Sequence, residues 1–241
     1  MPALRGDIAH SDATVASLLD IRSPAHEFLD GEKLDALELR KNLREMAMLN
    51  RLPGGIGESV RAVDRLLLDQ SEATVLDVGT GSGDFARRLR RRRHVEVIAS
   101  DVRPEILEIA ARNLAGTNHV SLLRADARAL PLADGEVDVA HASLLIHHFD
   151  PDDAVAALAE MRRVSRLGVV INDLRRGLIP FAMTAAAVLA LSRGTYTRHD
   201  GVLSARRAYT LAELDTLAAR AGLTRASSSP RFWPRVTTVY R

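Results

Sequence analysis

The sequence predicts an α/β fold: a mostly parallel sheet with helices on both faces, closed by an antiparallel strand pair. Two observations lead there. Between residues 58 and 173, short and nearly all-apolar β-type runs alternate with helical patterns, and strands buried on both faces with helical crossovers build parallel sheets. Two last strand candidates, residues 223–228 and 236–240, are separated only by a short segment holding Pro230 and Pro234, a connection suited to antiparallel pairing.

At 241 residues, 46% hydrophobic and 27% charged, the chain has enough apolar content for one full core, which excludes disordered and fibrous classes. The net charge of +2 conceals 33 basic side chains of which only Lys33 and Lys41 are lysine. A nucleic-acid stripe would need stacking aromatics, and these are 4% of the chain, so no nucleic-acid partner is expected. Without cysteine, disulfides, thiolate metal sites and a thiol nucleophile are excluded. The first twelve residues carry Asp7 and Asp12 and no signal-like apolar core, so a cytoplasmic location is expected. The apolar run 178–191 is shorter than the roughly 20 residues that cross a bilayer.

The elements follow in order. Leu34, Leu37, Leu39, Leu43, Met46 and Leu49 recur at amphipathic-helix spacing up to the helix-breaking Asn50-Arg51-Leu52-Pro53-Gly54-Gly55. This defines residues 1–57 as an N-terminal helical lid. Strands are predicted over 74–78, 95–100, 120–123, 137–146 and 169–173, with helices over 84–93, 104–114 and 152–164. Within the domain 58–241, residues 174–209 read as an insertion, a helix 178–191 followed by a polar loop 192–207. Thr210 and Glu213 then form a capping box. The acids Asp150, Asp152 and Asp153 fit a helix start, with Asp150 as N-cap and Pro151 first in the helix, and no metal site is expected. Arg87, Arg88 and the run 90–93 fit a helix C-terminus.

The chemistry concentrates in Val75-Leu76-Asp77-Val78-Gly79-Thr80-Gly81-Ser82-Gly83-Asp84, a strand running into a glycine turn and a helix. Glycines there allow positive φ and close approach of a ligand to backbone. Dinucleotide, phosphate and adenosyl ligands all use such turns. Spacing decides between them: a dinucleotide turn reads Gly-x-Gly-x-x-Gly, whereas these glycines alternate at 79, 81 and 83 behind Asp77. That carboxylate would repel a pyrophosphate and suits a cationic sulfonium ligand.

Over residues 58–173 the chain resembles the class I S-adenosylmethionine-dependent methyltransferases, of small-molecule type. The resemblance implies a Rossmann-like fold with a seven-stranded mixed sheet and S-adenosylmethionine as cofactor. It implies that Asp77, Gly79, Thr80, Gly81 and Gly83 hold the methionine part, that Asp101 receives the ribose hydroxyls, and that Val102 lies beside the adenine. Asp126 and Ala127 would read the adenine, and Asp138-Val139-Ala140-His141-Ala142-Ser143 matches the fourth-strand motif, with His141 on the cofactor side. His147 and His148 end the fourth strand and Asn172 and Asp173 the fifth, where polar residues face the ligand in open α/β sheets. By the same resemblance, His147 is the general base and Asp173 orients it. His199, beside Asp200, is the second candidate base.

Leu43, Met46, Met48, Leu49, Ile179, Phe181 and Met183 would wall the acceptor pocket, with Tyr196, Arg198, His199, Asp200 and Arg207 as polar contacts. The expected reaction is methyl transfer to an oxygen, or less readily a carbon, of a small apolar or aromatic molecule such as a phenolic intermediate. The rival readings are a macromolecular methyltransferase, a non-catalytic cofactor-binding protein and a dinucleotide oxidoreductase. The apolar helix 178–191 also suits a homodimer surface.

Overall fold

A computed structural model describes residues 19–25, 27–28, 31, 35–68, 70, 72–229 and 234–241. Asp7, Asp12, Lys33, Leu34 and Pro230 lie outside the described residues. Helices α1 (Ala36–Leu49) and α2 (Ile56–Leu67) precede the sheet, and then β1 (Thr74–Val78), α3 (Asp84–Arg90), β2 (Glu96–Asp101), α4 (Pro104–Leu114) and β3 (Val120–Arg124) alternate. β4 (Val137–Ser143), α5 (Pro151–Val164) and β5 (Ser165–Leu174) follow. The chain closes with α6 (Leu178–Leu191), α7 (Thr195–Arg207), α8 (Leu211–Arg220), β6 (Arg225–Ser228) and β7 (Arg235–Tyr240).

The seven strands are ordered β3-β2-β1-β4-β5-β7-β6. β1 to β5 pair in parallel, and β7 runs antiparallel to both β5 and β6. Alternate residues of the central strands feed two cores. Leu76, Ala140, Ala142, Val169 and Ile171 pack on α5 and α8 through Leu158, Met161, Leu214 and Leu217. Val75, Val97, Val139 and Val170 pack on α2, α3 and α4 through Val63, Leu67, Phe85, Leu89 and Ala110. Strand order reverses between β1 and β4, so the cleft above their carboxyl ends is where this architecture places a ligand.

Three local expectations are corrected. The stretch 192–207, read as a loop, is largely helix α7. Its buried residues are Thr197, Asp200, Leu203, Ser204, Ala205 and Arg207, but four of the six are polar, so no apolar period marks the helix in the sequence. Glu45 accepts from the amides of Arg193 (2.8 Å) and Gly194 (3.0 Å) just before that helix. Second, the fourth strand ends at Ser143 instead of residue 146. Leu144 takes a left-handed φ of 54° and turns the chain into a short 3-10 segment, Ile146–His148. Third, Asp150 starts α5 without a side-chain cap and pairs with Arg22 at 3.1 Å. The capping box at Thr210 and Glu213 is present. Helix α2, not singled out in the sequence, carries Ile56, Val60, Val63 and Leu67 on one buried face.

Candidate functional site

β1 delivers its chain into the glycine turn at the reversal point. Gly79, Gly81 and Gly83 have φ of 69°, 54° and 79°, a region that costs other residues about 1–2 kcal/mol. A Cβ on Gly79 or Gly83 would meet Leu145 at 3.0 Å or Leu114 at 2.8 Å, whereas one on Gly81 would find only Leu43, at 3.9 Å. Gly81 is thus the bare backbone that a ligand can approach. The turn is braced by Asp77, whose Oδ2 accepts from the Thr80 hydroxyl at 2.7 Å and whose Oδ1 meets His141 Nδ1 at 2.8 Å.

At the end of β2, Asp101 accepts from the amides of Arg103 (3.1 Å) and, weakly, Gly81 (3.4 Å). Burial pushes its carboxyl above the usual aspartate range. Those amide hydrogen bonds pull it down, and the nearby Asp77 charge adds to the rise. Val102 beside it is exposed. The residues fit an adenosyl sulfonium: Gly81 leaves an open cradle, the buried carboxylates Asp77 and Asp101 suit hydroxyl donors and positive charge, and an apolar side chain stands free next to them.

A cavity of about 220 Å³ opens from this turn. Asp77, Gly79, Thr80, Gly81, Ser82 and Asp84 form one end, and Glu27, His147, His148, Asp200 and Ser204 contribute the polar side of the other. Leu43, Met46 and Leu49 of α1 and Thr184, Ala187 and Val188 of α6 supply wall. Of the expected wall residues, Met48, Ile179, Phe181 and Met183 do not line this cavity; Met48 and Ile179 are exposed.

His147 and Asp173, 26 residues apart, meet at 2.5 Å through Nδ1 and Oδ1. Asp173 Oδ2 also accepts the His147 amide at 3.1 Å. Burial alone would raise the Asp173 carboxyl, but the His147 charge, its ring and amide hydrogen bonds and the Leu174 amide hold it below the usual range. His147 Nε2 points toward Glu27 Oε1 at 3.6 Å, and His148 Nε2 toward Glu27 Oε2 at 3.8 Å. Glu27 is itself held by the Ser204 hydroxyl at 2.7 Å.

The 147–150 segment is fastened by two arginines. Arg22 Nη2 donates to the carbonyls of His147 and Phe149, each at 2.8 Å. Arg207, fully buried, donates to the carbonyls of His147 (3.3 Å), His148 (2.7 Å) and Ala25. The sequence reading missed Glu27 and Arg22, and it placed Arg207 in a loop. All three act across 59 to 185 residues of sequence, and no local spacing announces them.

Several candidates sit elsewhere. His141 is buried behind Asp77, stacked on Phe85 at 3.6 Å between centroids, and does not line the cavity; its Nε2 has no hydrogen-bond partner among the described residues. Asp126 is engaged by Arg128, through Nη2 at 2.7 Å and the backbone amide at 2.9 Å, and Ala127 is packed in the core. His199 is on the outer side of α7, paired with Asp200 at 2.8 Å and tilted by 31° against the Phe28 ring, with centroids 4.1 Å apart. Asn172, expected to face the ligand, donates instead to the carbonyls of Gly54 (3.1 Å) and Gly55 (3.0 Å) and to Ser59 Oγ (2.9 Å), tying the turn after α1 to β5. Metal-ligand geometry does not arise at Asp150–Asp153 among the described residues. It arises at Glu27, His147 and His148, whose ligand atoms lie within 4.8 Å of one another.

Residues 75–168 match a family described as "Methyltransferase domain", a stretch that runs from β1 to the start of β5 and includes the glycine turn, Asp101 and His147. Over that stretch the chain is similar to the methyltransferase family. That family's cofactor is S-adenosylmethionine, which the cradle around Gly81 fits. A demethylmenaquinone methyltransferase of Thermus thermophilus is 39% identical over 106 residues, 43% of this chain and 47% of that protein. A malonyl-[acyl-carrier protein] O-methyltransferase of Pectobacterium atrosepticum is 32% identical over 142 residues, 59% of this chain and 51% of that protein. The chain thus spans about half the length of these relatives. The fold of the methyltransferase domain recurs in a SAM-dependent methyltransferase of Aquifex aeolicus, with TM-score 0.61, 20% identity and coverage of 86% of this chain and 98% of that one. Among the described residues no helix is long and apolar enough to cross a membrane.

Proposed function

We propose that the protein transfers the methyl group of S-adenosylmethionine to an oxygen, or less readily a carbon, of a small, apolar or aromatic acceptor, with His147 as general base. The observation that supports this most is a single cavity holding the glycine turn at one end and, at the other, an imidazole whose second nitrogen is fixed by a buried carboxylate.

When bound, S-adenosylmethionine supplies an electrophilic methyl on a sulfonium. The chain's own task is then alignment and removal of one proton. Asp77 braces the turn, Gly81 leaves its backbone open, and Asp101 offers a carboxylate to the ribose hydroxyls. Asp173 accepts a hydrogen bond from the Nδ1–H of His147, which leaves the Nε2 lone pair to accept the proton of a phenol or enol. The imidazolium formed lies between Asp173 and Glu27, two carboxylates that stabilise it. Leu43, Met46, Leu49 and Val188 exclude water and favour a hydrophobic acceptor.

The relatives' names, one for demethylmenaquinone and one for O-methylation of a malonyl carrier protein, agree on methyl transfer and differ on the acceptor. The test is release of S-adenosylhomocysteine from S-adenosylmethionine in the presence of a panel of phenols and hydroxynaphthoquinols. Acceptor-dependent release that falls on changing His147 to Ala supports the reading. Release that is unchanged by that substitution removes the base, and no release with any acceptor removes the reaction.

A further inference from the structure

The far wall of the cavity holds a buried cation whose hydrogen-bond partners among the described residues are all neutral. Arg235 opens β7, is buried at 7% exposure and lines the cavity next to Leu144, Leu174 and Pro234. Its Nε donates to Asn172 Oδ1 at 2.9 Å, its Nη2 to Ser143 Oγ at 2.7 Å and to the Asn172 carbonyl at 3.4 Å, and its Nη1 to Asn50 Oδ1. Every one of these partners is neutral, and four of the five guanidinium hydrogens are used. Among the described residues no carboxylate forms an ion pair with it. Burial pushes its pKa down to about 10, with only the Asp173 charge opposing. Arg176, also buried, shows the usual solution: its guanidinium meets Glu213 at 2.5 Å. A buried charge is ordinarily paired, and at a cavity wall the missing partner is a ligand.

We propose that Arg235 is the anion receptor of the acceptor site, so that the molecule methylated is an acid, carrying an anionic oxygen on an apolar or aromatic frame. This rests on reading the cavity as the acceptor site. Asn50, Ser143 and Asn172 fix the guanidinium plane from three separate segments, leaving one Nη1 hydrogen for the ligand, and the apolar neighbours raise the value of that charge-assisted contact. The remote anion would anchor the acceptor and His147 would act on the reacting hydroxyl.

The experiment compares binding of 1-hydroxy-2-naphthoate and of 1-hydroxy-2-naphthamide, equal in size and different in charge, by calorimetry to the full chain with S-adenosylhomocysteine present. Wild type is expected to prefer the acid at least tenfold, about 1.4 kcal/mol. Arg235→Gln should abolish the preference and Arg235→Lys should keep most of it, with S-adenosylhomocysteine affinity within about threefold throughout. Equal binding of acid and amide by wild type overturns the proposal, and that comparison stands even if the Gln variant fails to fold. Preference surviving in a folded Arg235→Gln overturns it too. A fall in S-adenosylhomocysteine affinity in that variant assigns the arginine to the cofactor's own carboxylate and likewise overturns it. Acid-selective binding without methyl transfer keeps the receptor and removes the proposed reaction.

Discussion

His147 Nδ1 and Asp173 Oδ1 lie 2.5 Å apart at the adjoining ends of β4 and β5. The parallel register sets the contact: Ser143 pairs with Asn172, and the left-handed Leu144 turns the next residues over the sheet so that His147 comes down on the carboxylate one position further along β5. His147→Ala is expected to lower turnover about 10²-fold or more with S-adenosylmethionine affinity nearly unchanged. Asp173→Asn should lower kcat by about tenfold or more, because the ring loses its fixed orientation. Steady-state kinetics beside calorimetry separates these effects, and a change confined to cofactor affinity would contradict the assignment.

Asp101 gives a pH signature. Its carboxyl is raised by burial in the free protein, and the ionised form is the stronger acceptor for the two ribose hydroxyls, since both of its oxygens are free to accept. Because the ionised form binds the hydroxyls more strongly, cofactor affinity is expected to fall as pH drops through that raised pKa, starting at higher pH than the ordinary aspartate value of about 3.9 would give. Asp101→Asn should weaken binding and flatten its pH dependence, measured by titration across pH 5–8, roughly the window in which stability is highest. For stability the sign reverses between the two acids. A raised Asp101 favours the ligand-free fold as pH falls toward its pKa, whereas the lowered Asp173 stabilises above its unfolded value and loses that contribution as pH falls through its folded one.

The three glycines should respond differently. A side chain at Gly81 enters the open cradle, so Gly81→Val is expected to cut cofactor affinity at least about tenfold. Gly83→Ala, whose Cβ would press on Leu114 at 2.8 Å, should lower stability by about 1–3 kcal/mol. Melting curves and cofactor titrations of both variants distinguish a ligand-facing glycine from a packing one.

Much of this fold was legible because its signals are local. β1 and the glycine turn, the alternation up to β5 and the capping box at Thr210 each declare themselves within a few residues. The fixing of the site is non-local and polar. Arg22 and Arg207 reach the carbonyls of the 147–149 segment, and Asn172 ties Gly54 and Gly55 to β5. Helix α7 hides for a related reason, since four of its six buried residues, Thr197, Asp200, Ser204 and Arg207, are polar and only Leu203 and Ala205 are not, which leaves no hydrophobic period.

Zinc is expected to inhibit methyl transfer. Glu27, His147 and His148 offer ligand atoms within 4.8 Å of one another, and an ion bound there would take the Nε2 lone pair that accepts the proton. The Asp173 contact at Nδ1 is the kind of outer-shell support that metal-bound imidazoles use. Glu27→Gln should raise the inhibitory zinc concentration about tenfold or more. Full turnover at saturating bound zinc would contradict a role for that nitrogen.

The most direct measurement is calorimetry of the full chain with S-adenosylmethionine, S-adenosylhomocysteine and NAD. Saturable one-to-one binding of both adenosyl ligands, weakened by Asp101→Asn, with none for NAD is the predicted result. Binding of NAD alone, or of none of the three, would contradict the account.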